Sequence, residues 1–143
     1  MPADPNPFGE HLFGEEHVRA YSETGGAQGY HWRGTTILLL TTTGRLSGEE
    51  RTTPLIYRAD DKKWVVVASK GGSPDHPDWY KNLEAKPDAT IQVKRQVTPV
   101  RARTAHGAER EQLWQLMTEN WPAYDTYQEK AAREIPVVVL EPR

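Results

Sequence analysis

Runs of β-branched and apolar residues along the chain predict a set of short β-strands. Six such segments are bounded by glycines or polar turns. They are Thr35–Thr43, Thr52–Ala59, Trp64–Ser69, Thr90–Lys94, Val97–Thr104 and Ile135–Leu140. Consecutive segments lack the helical crossovers of about 10–15 residues that parallel neighbours need, so we expect antiparallel pairing.

Helical periodicity flanks and interrupts this strand pattern. The predicted helices are Glu10–Glu23, Asp78–Lys86 with Pro77 as its first residue, Glu109–Asn120, and about Tyr124–Arg133. Residues 1–9 contain three prolines and are expected to form an irregular arm. We therefore predict an α+β fold, mainly antiparallel. Residues 1–32 would be an arm and a helix, and residues 33–143 a single β-barrel domain with peripheral helices.

Composition narrows the class of protein. The 143 residues suit one domain, and the absence of cysteine excludes disulfides, thiol nucleophiles and thiolate metal sites. The five histidines are scattered without metal-ligand spacing, so we expect no metal. No apolar run approaches the roughly 20 residues that span a bilayer, and the N-terminus does not resemble a signal peptide. A cytoplasmic location is expected.

Charge is distributed unevenly along the chain. The formal net charge is −2, but residues 1–32 carry −4, residues 33–103 carry +5 and residues 104–143 carry −3. A basic middle between acidic ends favours a local anionic ligand, whereas a long polyanion such as nucleic acid would need a more uniformly basic surface.

Three stretches have the residue types of a ligand site. The turn Gly44–Gly48 with Arg51–Pro54 offers two arginines and hydroxyls that could hold a phosphate, although it could also be a solvated polar hairpin. Glycines after Ser69 and Lys70 would let backbone approach a flat ligand, or would form a flexible loop. Trp121, Tyr124 and Tyr127 could cover a substrate with aromatic rings and hydroxyls, or pack against the barrel.

Taken together, these stretches resemble the deazaflavin-dependent nitroreductase family, from about Gly34 to Glu141. The matching stretches are LLLTTTGRLSGEERTTPLIY at 38–57, VVVASKGGSPDHPDWYKNL at 65–83 and TENWPAYDTYQ at 118–128. The resemblance implies a split β-barrel, a fold also used by flavin mononucleotide oxidases. It also implies reduced coenzyme F420 as cofactor, a hydroxy-deazaflavin with a phospholactyl-oligoglutamate tail.

The resemblance also implies roles for individual residues. Those expected to bind the cofactor are Arg45, Ser47, Gly48, Arg51, Thr52, Thr53, Pro54, Ser69, Lys70, Gly71, Gly72, Trp79 and Asn82. Trp121, Tyr124 and Tyr127 would bind the substrate, and Ser69, Tyr124 and Tyr127 would act in catalysis. Members of this family often have a lysine directly after the arginine of this turn, at the position of Leu46 in this chain.

The expected activity is hydride transfer from the reduced deazaflavin to an electron-poor acceptor. Candidate acceptors are an activated alkene of an unsaturated ketone, lactone or coumarin, a quinone, or a nitroaromatic. Two alternatives stay open: a flavin mononucleotide-dependent oxidoreductase on the same barrel, and a non-catalytic protein that sequesters the cofactor. We expect a monomer or homodimer with no nucleic-acid partner and no integral membrane segment. Weak peripheral membrane contact through residues 1–24 is conceivable.

Overall fold

The computed structural model describes residues 11–143, so the arm expected at residues 1–9 lies outside the described part. The helices are α1 (Gly14–Thr24), α2 (Asp78–Ala85), α3 (Gly107–Asn120) and α4 (Ala123–Lys130). The strands are β1 (His31–Trp32), β2 (Thr35–Thr43), β3 (Glu50–Ile56), β4 (Arg58–Asp60), β5 (Lys63–Val67), β6 (Asp88–Val93), β7 (Gln96–Thr104) and β8 (Val137–Pro142).

All strand pairs in this part of the chain are antiparallel, as predicted. The sheet runs in the order β3, β2, β6, β7, β8, β5, β4, and β1 pairs with the start of β2. The two outer strands, β3 and β4, are separated in sequence only by Tyr57, so the sheet curls until its edges meet. This is the expected α+β architecture, a mainly antiparallel curled barrel with peripheral helices.

The valine-rich strands β5 and β8 are buried on both faces. Val66, Val138 and Leu140 belong to the core inside the barrel. Val65, Val137 and neighbouring residues point outward and pack beneath helices α3 and α4. Burial on both sides explains why these strands read as continuous apolar runs. It also fixes α4 against the outer surface of the barrel.

Helix α1 is attached to the barrel through the fully buried Tyr21. Its hydroxyl donates to the carbonyl oxygens of Ile37 (3.0 Å) and Gln92 (3.3 Å) and accepts from the backbone N–H of Lys94 (2.7 Å). Burial raises the pKa of Tyr21 to about 12. These bonds connect α1 with strand β2 and with the end of strand β6.

Most element bounds differ from the sequence prediction by up to about four residues, and three differences have a clear origin in the structure or the sequence. The strand expected at Thr52–Ala59 divides at the buried Tyr57, where the chain changes its partner from β2 to β5. Strand β1 was not predicted, because two residues give no periodicity. The last helix ends at Lys130 rather than Arg133, since the side chain of Gln128 accepts from the backbone N–H of Ile135 (2.8 Å) and donates to the Arg133 carbonyl (2.8 Å).

Within residues 11–143 we find no helix long and apolar enough to cross a membrane.

Candidate active site

Two adjoining clefts open on the barrel, and they share the side chains of Thr53 and Trp79. We call the first, of about 400 Å³, the aromatic cleft. Its lining also includes Phe13, Gly14, His17, Trp32, Pro54, Ser69, Lys70, Gly71, Trp121, Tyr124 and Tyr127. The second, of about 610 Å³, is the basic cleft, formed with Glu15, Arg45, Leu46, Ser47, Glu50, Arg51, Thr52, Asp78 and Asn82.

Asn82 on α2 fixes the turn at the edge of the basic cleft. Its buried Oδ1 accepts from the backbone N–H of Arg45 (3.1 Å) and from Arg45 Nη1 (2.9 Å). Its Nδ2 donates to Thr42 Oγ1 (3.2 Å) at the end of β2. One amide therefore connects the turn, the helix and the strand, and it orients the Arg45 guanidinium.

The two arginines of the basic cleft form weak ion pairs with carboxylates at the surface. Arg45 Nη2 lies 3.4 Å from Asp78, and Arg51 Nη2 lies 3.4 Å from Glu49. Exposed pairs of this kind contribute little free energy, because water screens both partners. An anionic group entering the cleft can therefore replace either carboxylate as the partner of a guanidinium. Leu46, at the tip of the turn, is 91% exposed.

The loop after β5 forms one wall of the aromatic cleft. Lys70, Gly71 and Gly72 have φ of 46°, 62° and 82°, a run in the left-handed region that turns the chain sharply after Ser69. Ser69 is buried, and within the described residues its hydroxyl has no hydrogen-bond partner. A hydroxyl that lines a cleft and has no partner of its own is available to a ligand.

Tyr124 and Tyr127 on α4 form the facing wall. Their rings lie 6.1 Å apart in an edge-to-face arrangement. Tyr127 Oη accepts from Trp121 Nε1 (3.4 Å), whereas the hydroxyl of Tyr124 has no partner among residues 11–143. Tyr124 is 4% exposed, and burial raises the pKa of its hydroxyl well above the usual range. The hydroxyl therefore stays protonated, and able to donate, at neutral pH.

The outer wall of the aromatic cleft was missed by the sequence prediction. Trp32 stacks on Trp121, with centroids 5.8 Å apart and planes 30° from parallel, and its indole N–H donates to the Leu12 carbonyl (3.0 Å). Phe13 meets the Trp32 ring edge-on at 5.4 Å. Buried His17 also lines the cleft, and it contacts the Gly29 carbonyl through Nε2 (2.9 Å). Burial lowers the pKa of His17, which favours its neutral form.

All the predicted site residues except Gly48 and Gly72 line one of the two clefts. Gly48 lies in the turn with φ of 76°, where its N–H donates to the Gly44 carbonyl (2.8 Å). Gly72 packs against α4: a Cβ built there would lie 2.8 Å from the Tyr127 carbonyl oxygen. The structure thus gives these glycines backbone positions outside the clefts. No group of three metal-ligating side chains occurs in residues 11–143.

Comparison with known proteins agrees with this geometry. Residues 13–142 match the model of the F420H(2)-dependent quinone reductase family. The chain is 41% identical over 131 residues to the F420H(2)-dependent quinone reductase Rv1261c of Mycobacterium tuberculosis, covering 89% of this chain and 88% of that protein.

Two solved structures are similar in both sequence and fold. An F420-H2 dependent reductase, FDR-A, has a TM-score of 0.69 and 44% identity, with 76% of this chain and 95% of that one covered. A second structure, described as a domain-swapped dimer, has a TM-score of 0.72 and 41% identity, with 89% and 95% covered.

The fold and the two clefts define a split-barrel deazaflavin-dependent reductase. The chain belongs to the F420H(2)-dependent quinone reductase family. The expected oxidoreductase activity and the expected cofactor, coenzyme F420, are thereby confirmed. The residues present suit such a group, because guanidiniums and hydroxyls surround the basic cleft and the Ser69 hydroxyl, with no partner in the described residues, lines the aromatic cleft.

The contact between Gly72 and α4 gives a testable prediction. In Gly72→Ala the new methyl group would collide with the Tyr127 backbone, whereas in Gly71→Ala it would have nothing within 4 Å. Both substitutions carry the cost of a positive φ, about 1 kcal/mol. We expect Gly72→Ala to lower the free energy of unfolding by about 1–3 kcal/mol more than Gly71→Ala, since the collision is with rigid backbone. Urea unfolding of both variants measures this difference, and equal losses would contradict the packing role.

Proposed function

We propose that the two clefts form one groove that holds coenzyme F420 beside a quinone-type acceptor. The observation that carries this proposal is the wall shared by the clefts, Thr53 and Trp79, which joins a basic region to an aromatic one. A cofactor with an anionic tail and a flat ring needs these two environments side by side. The reduced coenzyme supplies the hydride when it is bound.

In this proposal the basic cleft holds the tail. Arg45 and Arg51 would bind phosphate or carboxylate oxygens, with the hydroxyls of Ser47, Thr52 and Thr53 as further donors. Asn82 would act indirectly, because its side-chain oxygen is already occupied by Arg45. Glu15, Glu50 and Asp78 also line this cleft, and their charge would limit how much anionic tail it accepts.

The aromatic cleft would hold the ring and the acceptor. Trp79, Pro54 and the backbone at Lys70 and Gly71 provide a flat, mostly apolar surface for the ring. Trp121 and Tyr127, with Trp32 and Phe13 behind them, would enclose a planar quinone. With cofactor and acceptor bound, the mostly apolar walls would limit the access of water to the reacting atoms.

Ser69 and Tyr124 would polarise the acceptor. Each has a hydroxyl in the cleft without a partner in the described part of the chain. Negative charge develops on the quinone oxygen as it accepts a hydride, and a positioned O–H donor stabilises that charge most in a dry site. A tyrosine hydroxyl is protonated at neutral pH, and burial raises the pKa of Tyr124 further.

For assembly we infer a monomer or a homodimer, since the relative at 41% identity that covers 89% of this chain is described as a domain-swapped dimer. For location we propose the cytoplasm, with at most weak contact at a membrane surface. Glu15, Glu16 and Glu23 are exposed on α1, and anionic lipid would repel them.

The tail site is tested by reversing one charge. Arg51→Glu should weaken binding of oxidised coenzyme F420 by roughly tenfold or more at low salt, because a charge-assisted bond becomes a repulsion. The loss should shrink as ionic strength rises, since Arg51 is exposed and screened. Quenching of tryptophan fluorescence measures the Kd. Lys62→Glu, at the exposed turn between β4 and β5, makes the same change of charge away from both clefts and should leave the Kd unchanged.

Unchanged affinity in Arg51→Glu would remove this residue from the site. The same titration with flavin mononucleotide tests the choice of cofactor. Tighter binding of the flavin than of the deazaflavin would favour the alternative oxidoreductase on this barrel.

The polarising hydroxyls are tested by anaerobic reduction of menadione with the reduced coenzyme. Ser69→Ala and Tyr124→Phe should each lower kcat by about 100- to 1000-fold, the range for removing a donor to a developing anion. Tyr80→Phe is the matched control, because that hydroxyl bonds to Thr104 (2.8 Å) outside both clefts. A wild-type kcat in both Ser69→Ala and Tyr124→Phe would refute their proposed role. If the wild-type protein binds the cofactor but reduces none of the candidate acceptors, a cofactor-sequestering protein is favoured.

A further inference from the structure

We propose that Arg133 is a positioning residue for the active site and that it acts through Ser69. The proposal rests on the function proposed above for Ser69. Arg133 lines neither cleft and lies in the segment between α4 and β8. What it contacts is the backbone of the loop that forms one wall of the aromatic cleft.

All three guanidinium nitrogens of Arg133 donate to this loop. Nη1 donates to the Ala68 carbonyl (3.2 Å), Nη2 to the Ser69 carbonyl (2.9 Å) and Nε to the Ser73 carbonyl (3.0 Å). Nη1 also lies 2.9 Å from His76 Nδ1. A guanidinium has no acceptor, so in this contact Arg133 is the donor and His76 Nδ1 the acceptor. The bonds reach the chain both before and after the turn at Lys70.

This loop needs support from outside. Lys70, Gly71 and Gly72 lie consecutively in the left-handed region, and for Lys70 that conformation is unfavourable. Inside the loop, Gly72 N–H donates to the Ser69 carbonyl (3.0 Å) and Ser73 N–H to the Lys70 carbonyl (3.1 Å). A strained turn persists only when its surroundings determine it, and Arg133 supplies bonds on either side of this one.

Arg133 is itself held by the helices that carry the opposite wall. Gln128 on α4 donates to the Arg133 carbonyl (2.8 Å) and accepts from the N–H of Ile135 (2.8 Å). Arg110 on α3 donates to the Ile135 carbonyl (2.7 Å). The backbone of Arg133 is thus hydrogen-bonded to the Gln128 side chain of α4, while its guanidinium is hydrogen-bonded to the loop. Arg133 therefore connects the loop that carries Ser69 with the helix that carries Tyr124 and Tyr127, in addition to the direct contact of Gly72 with α4.

Hydrogen exchange without cofactor tests the structural part of the proposal. In Arg133→Met the amides of Gly72 and Ser73 should exchange about tenfold faster than in the wild type or more, because the loop opens more often. Arg133→Lys keeps the positive charge but loses the planar guanidinium with its several donors. Its amide exchange rates should therefore lie between those of the wild type and Arg133→Met. The control is Arg143→Met, since Arg143 also donates to backbone carbonyls, those of Val100 (2.8 Å) and Ala89 (3.2 Å), away from both clefts.

A double-mutant cycle tests the link to Ser69 with reduced coenzyme and menadione. Arg133→Met should lower kcat by about tenfold or more, the scale of a misplaced catalytic group. In a Ser69→Ala background the same substitution should cost less than about threefold, because residues that act as a unit are not additive.

The outcomes separate the two proposals. Two results would overturn the role of Arg133. One is an unaltered amide exchange rate in Arg133→Met and Arg133→Lys. The other is a loss of kcat in the double mutant that equals the combined losses of Arg133→Met and Ser69→Ala. Faster exchange in Arg143→Met at the same amides would also overturn it, by showing a general loss of stability. Full activity of Ser69→Ala would instead overturn the function proposed for Ser69.

Discussion

The antiparallel pairing of β5 with β8 is the constraint from which the site follows. The loop that carries Ser69 leaves the end of β5, and the segment that carries Arg133 enters β8 beside it. The N–H of Ala68 donates to the Pro136 carbonyl (2.9 Å) and extends this pairing to the last residue before the loop. Helices α3 and α4 lie between β7 and β8 in sequence, so they must pack on the outward face of the same strands. Ser69 and Tyr124 therefore come from distant parts of the sequence to one cleft.

The groove combines two kinds of interaction with different ranges. In the basic cleft, exposed guanidiniums act on an anionic tail through charge, and salt weakens that attraction. In the aromatic cleft, stacked rings and the hydroxyls of Ser69 and Tyr124 act only at contact distance. Thr53 and Trp79 belong to both clefts, so the ring and the tail of one cofactor can use both at once. The membership of the chain in a family of F420H(2)-dependent quinone reductases agrees with this division.

Local features of the site could be predicted from sequence, and contacts between distant segments could not. Strand β2 was placed at its observed bounds, and the arginine turn and the Ser69 loop were located, because each is a contiguous pattern. Trp32 was missed because its partner Trp121 lies far along the chain. Arg133 gave no signal, because its acceptors are backbone carbonyls, which every sequence provides. Gly72 was assigned to the cofactor, since a glycine pattern does not distinguish the approach of a ligand from that of a helix.

A crystal structure with coenzyme F420 bound would show directly whether the two clefts form one cofactor groove. We expect the tail in the basic cleft beside Arg45 and Arg51, and the ring in the aromatic cleft between Trp79 and Tyr124. A third cleft, of about 580 Å³, lies elsewhere on the barrel beside His31, Arg58 and Asn120. A ring bound there, or a tail that contacts neither arginine, would contradict the account.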